Sequence, residues 1–289
     1  MTPARVRAYG ALAVAVAGIA WSSIFVRWAG VPGPASALYR VLIAAVVLVP
    51  WRFAHPHAVR PSVRAILGAL AGGVFFAFDL ALWNTSVLRT TAASAVLLGN
   101  NAPVFVGLAA WWISGRRPRL AFWLGLALAL AGCATMVGEH LGTGGAARFD
   151  GDALALAASV FFAGYLVTTE RARAGMDTLT FSTLAVAGSV VTLAVICAAL
   201  HVPLWGYGAR TWLALAGLGL ISQLAAYFAL AYALGQLPAT VTSVGLLAQV
   251  PLAALLAIPL LGEPLSGPQI AGGLLVLAGI VVVNQQPAV

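Results

Sequence analysis

The sequence predicts an all-helical protein that crosses a membrane ten times, and three observations lead to this prediction. Of the 289 residues, 62% are hydrophobic and only 8% are charged, whereas soluble domains carry about 25% charged residues. The apolar residues form runs that approach the roughly 20 residues a helix needs to cross the hydrocarbon core. The 31 glycines and 15 prolines are also more typical of membrane helices than of soluble ones.

The ten predicted spans are separated by segments that each contain glycine, proline or arginine. The first run follows two arginines, as in a signal peptide, but it is longer than an h-region and further spans follow it, so we predict a first transmembrane helix. Most connecting segments are short, and consecutive helices should therefore pack antiparallel. The spans are residues 8–29, 34–53, 63–86, 91–113, 119–138, 151–170, 178–200, 210–234, 238–261 and 267–284.

The arginines predict the orientation in the membrane. The net charge is +8 and all 15 basic residues are arginine. They form short clusters between apolar runs without an aromatic-rich basic groove, which argues against nucleic-acid binding. The positive-inside rule predicts that both termini are cytoplasmic. This choice puts ten arginines inside (5, 7, 52, 60, 64, 116, 117, 119, 171 and 173) and four outside (27, 89, 148 and 210).

An internal repeat is predicted from two alignments. Placing TAASAVLLGNNAPVF (91–105) over ATVTSVGLLAQVPLA (239–253) matches Pro103 with Pro251. Placing 114–132 over 261–279 matches three glycines, among them Gly125 with Gly272 and Gly132 with Gly279. Chance alignment of two glycine-rich helices is the alternative. Residues 1–140 and 141–289 are therefore predicted to be five-helix repeats. Because each repeat crosses the membrane an odd number of times, the second repeat is inverted in the membrane relative to the first.

Proline and amide residues interrupt the fourth and ninth spans at matching places. Pro103 and Pro251 lie near the middles of these spans, where proline removes a backbone hydrogen bond and is predicted to kink the helix. The amides Asn101 and Gln249 either satisfy the loosened backbone or bind a substrate, and the sequence leaves both roles open. For Asn100 the structural role is favoured.

Arg40 and Asp79 are the two charges predicted to lie well within spans. Such charges are functional-site candidates by default. Both are expected about 10 Å below the outer surface, given the rise of about 1.5 Å per helical residue. A mutual ion pair is one interpretation. In the other, Arg40 binds a substrate carboxylate, or Asp79 carries a proton or binds an amine. The repeat places uncharged Phe181 and Tyr227 at the equivalent positions, which predicts an asymmetric site.

Aromatic and polar side chains complete the predicted binding site, because aromatic faces with a few polar groups suit a largely apolar ligand. Packing and interfacial anchoring are the alternatives for each of these residues. The four histidines lie in loops or at helix ends, and no metal-site or hydrolase motif is present, so no metal, cofactor or enzymatic activity is predicted. The remaining site candidates are Trp21, Ser22, Phe78, Trp83, Phe162, Tyr165 and Tyr227.

Three segments resemble the EamA-type members of the drug/metabolite transporter superfamily. They are LGEPLSGPQIAGGLLVLAGIVVV (261–283), TTAASAVLLGNNAPVF (90–105), and ALYRVLIAAVVL (37–48) with Arg40. The likeness extends over essentially the whole chain. The family has an acidic residue after the fourth helix of each repeat. In this sequence Arg116 stands at that position in the first repeat, whereas Glu263 is the acidic residue of the second repeat.

The resemblance implies a carrier of the bacterial inner membrane that exports small metabolites. Neutral amino acids, in particular aromatic ones, are the expected substrates, with other metabolites or drugs as the alternative and an intramembrane enzyme or a channel as less favoured classes. Lipid is an expected partner and protons are candidate coupling ions. The GxxxG pair Gly68 and Gly72 permits close helix contact, so the chain is expected to be a monomer or a weak dimer.

Overall fold

The computed structural model describes residues 3–55, 61–90, 95, 98–115, 117–138, 149–261 and 266–284. Within these ranges ten helical segments follow one another without a β-strand. They are α1 (Pro3–Ala29), α2 (Gly33–Ala54), α3 (Val63–Arg89), α4 (Ala102–Ser114), α5 (Leu120–Gly138), α6 (Phe149–Arg173), α7 (Thr178–Ala199), α8 (Ala209–Leu234), α9 (Ala239–Gly245, Leu246–Ala248 and Gln249–Leu261) and α10 (Gly267–Asn284).

The all-helical membrane fold predicted from composition is confirmed. Among the described residues, eight helices are long and apolar enough to cross a membrane, and the apolar parts of α4 and α5 are shorter. Helix starts follow their local sequence. The Ser62 side chain accepts a hydrogen bond from the amide of Ala65 at 3.2 Å before α3, and Asp177 accepts one from Thr180 at 2.9 Å before α7, which satisfies otherwise unpaired amides of the first turn.

Four of the helical paths are interrupted where the sequence analysis expected continuous or kinked helices. Segment α1 breaks at Trp21, and α8 contains a π-helical stretch, Leu218–Ala225. The chain turns before α4, and α9 passes through a 3₁₀ turn. The breaks precede the prolines: Pro103 is the second residue of α4 and Pro251 the third of the last part of α9.

The sequence analysis predicted that these two prolines kink the middles of their spans, and the irregular backbone lies directly before each of them. Proline is tolerated in the first turn of a helix, because the amide that it lacks has no intrahelical partner there. The interruption provides such a first turn in the interior of the bundle. Each proline lies in the first turn of the helical segment that follows the interruption.

Close helix contacts join the two halves of the chain. Segment α3 packs on α6 and α7, α1 packs on α8, and α5 packs on α10. The GxxxG pair on α3 is used inside the chain, because a Cβ atom on Gly68 would contact Ala172 and one on Gly72 would contact Thr168. This pair therefore serves α3–α6 packing, and its spacing carries no argument for a dimer.

The glycines that support the repeat alignment make one reciprocal contact between α5 and α10. A Cβ atom on Gly132 would lie 2.5 Å from the carbonyl oxygen of Gly272, and one on Gly279 would lie 2.4 Å from that of Gly125. The alignment matches Gly125 with Gly272 and Gly132 with Gly279. If each residue is replaced by its aligned partner in the other half, the Gly132–Gly272 contact becomes the Gly279–Gly125 contact. A twofold axis relates contacts in this way.

Some predictions fall on residues outside the described ranges. These are the Gly262–Glu263–Pro264 part of the motif that carries the family resemblance, Arg116, and most of residues 91–97. The described part of the α10 segment begins at Ser266.

Substituting Gly132 by alanine should destabilise the fold, because the new methyl group would collide with backbone atoms of α10 that cannot rotate away. We expect a loss of about 1–3 kcal/mol, measured as a lower thermal unfolding midpoint of the detergent-purified protein. Gly279→Ala should have a similar effect. The control is Gly10→Ala, where no described residue outside the adjoining turns of α1 lies within 4 Å of the added carbon. An unchanged midpoint in Gly132→Ala would contradict the close contact.

Candidate functional site

A cavity of about 240 Å³ lies between the two halves of the chain. Every helical segment except α7 contributes to its wall. The polar and charged side chains of the wall are Ser22, Ser23, Arg40, Asp79, Asn100, Tyr227, Ser243, Gln249 and Gln269. Its position between the halves, with both predicted intramembrane charges in the wall, makes it the candidate substrate site.

Arg40 is buried, with 1% of its surface exposed, and protein groups hold its guanidinium. Nε donates to Oε1 of Gln223 at 2.7 Å, Nη1 to Oγ of Ser22 at 3.1 Å, and Nη2 to the backbone oxygen of Ser222 at 3.3 Å. The Cζ atom also lies 5.2 Å from the centroid of the Tyr227 ring, within the range of a cation–π contact. The protein thereby replaces the water that the charge would otherwise require.

Two backbone interruptions supply these acceptors. Ser22 follows the break in α1, and Ser222 and Gln223 lie in the π-helical stretch of α8. In an unbroken helix the carbonyl of Gly18 would accept from the amide of Ser22; here it accepts from Oγ of Ser222 at 2.8 Å. The π-helical stretch therefore satisfies a carbonyl at the break in α1, and Arg40 satisfies the carbonyl of Ser222, as a membrane interior requires. The sequence analysis missed Gln223, although an amide within an apolar run is a recognisable signal.

Asp79 also lines the cavity, and it is 7% exposed. Its carboxylate makes no hydrogen bond and no ion pair within 4.0 Å to any part of the chain that the structure describes. The direct Arg40–Asp79 ion pair considered from the sequence is absent, because the guanidinium is occupied by groups of α1 and α8. The carboxylate instead faces the space that a ligand would fill.

Aromatic rings form one end of the cavity. Phe162 and Tyr227 line it, with ring centroids 6.4 Å apart. Tyr165 lies behind them, 5.9 Å from Tyr227 and 4.7 Å from Phe76. Tyr165 is thus a packing partner of the wall and does not itself line the cavity. We call Phe76, Phe162, Tyr165 and Tyr227 the aromatic wall.

A second, smaller cavity of about 20 Å³ lies on the other side of the aromatic wall. It is lined by residues of α2, α3, α6, α7 and α8, and Tyr227 borders both cavities. Ser182 lines this space and its buried hydroxyl has no hydrogen-bond partner in the described chain. The volume is close to that needed for one water molecule, about 10–15 Å³.

The amide residues at the interruptions of α4 and α9 contact each other. Nε2 of Gln249 donates to Oδ1 of Asn100 at 2.8 Å, and both residues line the cavity. Asn101 instead donates from Nδ2 to the backbone oxygen of Leu98 at 3.1 Å, within the local turn. The structure therefore brings Asn100 to the cavity rather than Asn101, because the turn before α4 directs adjacent side chains to different sides.

The remaining predicted residues divide between the cavity and the packing around it. Trp83 lines the cavity four residues after Asp79, so the two share a face of α3. Trp21 lies at the break of α1, outside the wall, and its ring stacks on that of Phe25 at 5.7 Å. Phe78 is 37% exposed on the outside of the bundle and stacks on Phe161.

Comparison with known proteins identifies related chains. The model of the EamA-like transporter family matches residues 8–138 and again residues 150–285. The uncharacterized transporter YwfM of Bacillus subtilis (strain 168) is 28% identical over 290 residues, which cover 96% of this chain and 94% of that protein. A solved crystal structure with 20% identity has a TM-score of 0.80 and covers 98% of this chain and 99% of its own. The last likeness concerns the fold alone.

Replacing Gln223 by leucine should destabilise the protein, because Nε of Arg40 would lose its acceptor in a buried position. We expect a loss of about 1.5–3 kcal/mol, measured by thermal unfolding in detergent. Gln223→Glu keeps an acceptor and should retain more stability. The control is Gln236→Leu at an exposed position. Equal stability of Gln223→Leu and Gln236→Leu would show that Arg40 does not depend on this bond.

Proposed function

This chain belongs to the EamA-like transporter family, and we propose that it is a secondary transporter that exports neutral amino acids, preferentially aromatic ones, across the bacterial inner membrane. The observation that supports this proposal most directly is the central cavity, whose wall combines one carboxylate, one guanidinium and several aromatic rings. The names of the family and of the relative also point to a transporter rather than to an enzyme.

The size of the cavity favours a small metabolite. Its volume of about 240 Å³ is below the range of about 300–1,000 Å³ that is typical of pockets for drug-sized ligands. Apolar residues such as Leu80, Leu246 and Val250 make up much of the wall. A ligand with an apolar side chain therefore fits better than a sugar or another uniformly polar solute.

The charges of the wall suit the two charged groups of an amino acid. Asp79 has a carboxylate available for an ammonium group. Arg40 uses three of its five N–H donors in the bonds described above, which leaves two donors for a carboxylate. The aromatic rings of Trp83, Phe162 and Tyr227 provide the surface for an apolar or aromatic side chain.

Alternating access between two five-helix repeats, residues 1–140 and 141–289, is the mechanism that we propose for transport. The cavity extends to Met136 near the end of α5 and Gln269 near the start of α10, which the distribution of arginines places at the outer surface. At the opposite end α1 contacts α10. In α10, Asn284 accepts a hydrogen bond from the hydroxyl of Tyr9 at 2.9 Å. We interpret this arrangement as outward-facing.

Proton antiport is the coupling that we propose, with Asp79 as the group that exchanges a proton for the substrate. A charged group inside the membrane without an ion-pair partner commonly serves such a role. Facilitated movement down a substrate gradient is the alternative and needs no titrating group. Export of another small metabolite on the same scaffold is the alternative to amino acid export.

Counterflow in proteoliposomes tests the substrate and the coupling. Vesicles loaded with unlabelled phenylalanine, tryptophan, threonine or alanine should take up the labelled amino acid saturably, and aromatic ones should be taken up fastest. Asp79→Asn should lower uptake about tenfold or more, since it removes a charged hydrogen-bond acceptor, and abolish the response to a pH gradient. Asp150→Asn, the same change at an exposed position, should transport normally. No uptake of any amino acid by folded protein would refute the substrate assignment.

Cysteine labelling tests whether the cavity opens to the outside. Ser243 lines the cavity, whereas Ser159 is equally buried elsewhere, and each donates a local hydrogen bond to its own helix. In right-side-out vesicles Ser243→Cys should react with a charged thiosulfonate reagent, and excess substrate should protect it. Ser159→Cys should remain unreactive, as should native Cys133 and Cys197, which are buried. Equal reactivity of both variants would contradict the outward-facing cavity.

A further inference from the structure

The two charges in the cavity wall are held very differently. Every nitrogen of the Arg40 guanidinium already donates to the protein, and its Cζ atom lies over the rings of Phe76 and Tyr227. Asp79 has no hydrogen-bond or ion-pair partner among the residues that the structure describes, although about nine-tenths of it is buried. Since a buried carboxylate without a partner is costly, Asp79 gains either from a proton or from a cationic group bound in the cavity.

Aromatic rings accompany this carboxylate. Trp83 lies on the same face of α3 as Asp79, four residues later, and Phe162 and Tyr227 border the same cavity from α6 and α8. Aromatic faces attract cations, and an ammonium group gains from rings and a carboxylate together. Beside Arg40, by contrast, protein acceptors already take one N–H donor from each guanidinium nitrogen, which leaves fewer donors for a substrate carboxylate.

We propose that the ammonium group is the part of the substrate that this cavity recognises, through Asp79 and the adjacent rings, and that the substrate carboxylate is dispensable. The ligand class is thereby a primary amine with an apolar or aromatic side chain, which includes neutral amino acids and the corresponding amines without a carboxyl group. Arg40 is a positioning residue that holds α1, α2 and α8 together around the cavity. This inference rests on the proposed transport function and narrows the substrate class of the same cavity.

Ligand-induced stabilisation of the purified full-length protein tests this assignment. A ligand that binds only the folded state raises the thermal unfolding midpoint in a concentration-dependent manner. The probes are phenethylamine, which lacks the carboxyl group of phenylalanine, and 3-phenylpropionate, which lacks the amine. We expect phenethylamine to raise the midpoint and 3-phenylpropionate to leave it unchanged. Phenethylamine should also inhibit phenylalanine counterflow in proteoliposomes, whereas 3-phenylpropionate should not.

Variants separate the role of the charge from general effects on folding. Asp79→Asn should weaken phenethylamine binding about tenfold or more, Asp79→Glu should retain binding, and the exposed control Asp150→Asn should bind like the unaltered protein. The comparison of the two probes on the unaltered protein remains decisive even when a variant fails to fold.

The possible outcomes distinguish this inference from the proposed function. Two results would show that the substrate carboxylate is required. One is stabilisation by 3-phenylpropionate but not by phenethylamine, and the other is stabilisation by phenylalanine but by neither of the two probes. Both results would leave the proposed amino acid export intact. Phenethylamine binding that survives Asp79→Asn would overturn the role of Asp79. Phenethylamine binding without counterflow of any amino acid would support the cation site and refute the proposed substrate.

Discussion

A buried guanidinium group is the constraint on which the centre of this structure depends. Removing a charge from water costs several kcal/mol unless hydrogen bonds replace the lost hydration, and a regular membrane helix has no free backbone group to offer. Here the break in α1 and the π-helical stretch in α8 bring Ser22, Ser222 and Gln223 to Arg40. Irregular backbone is thus confined to a place where a charged side chain and a neighbouring helix satisfy it.

The contact between α5 and α10 determines how the two halves meet. Backbone approach at Gly125–Gly279 and Gly132–Gly272 excludes any side chain, so these helices are joined by van der Waals contact over their backbones. Elsewhere between the halves α1 packs on α8 and α3 packs on α6. The cavity is the space that these contacts leave between the halves, and the interrupted α4 and α9 border it.

The two halves of the chain contribute unlike chemistry to the cavity. Gln249 and Asn100 meet across the halves, but the carboxylate of Asp79 comes from α3 alone, and Tyr227, its predicted counterpart, contributes an aromatic ring from α8. A cavity wall with unlike side chains on its two sides can bind an asymmetric molecule in one orientation.

The sequence by itself determined the helical membrane class, the ten segments, the matching glycines and the presence of two charges within spans. These follow from composition and local pattern, since a long apolar run has no other stable structure in lipid. Only the tertiary structure decided which polar groups meet. It directed Asn100 rather than Asn101 to the cavity, brought Gln223 to Arg40 across 183 residues of chain, and kept Asp79 out of an ion pair. Such pairings depend on helix breaks and rotations set by packing between distant segments, and no local pattern in the chain encodes them.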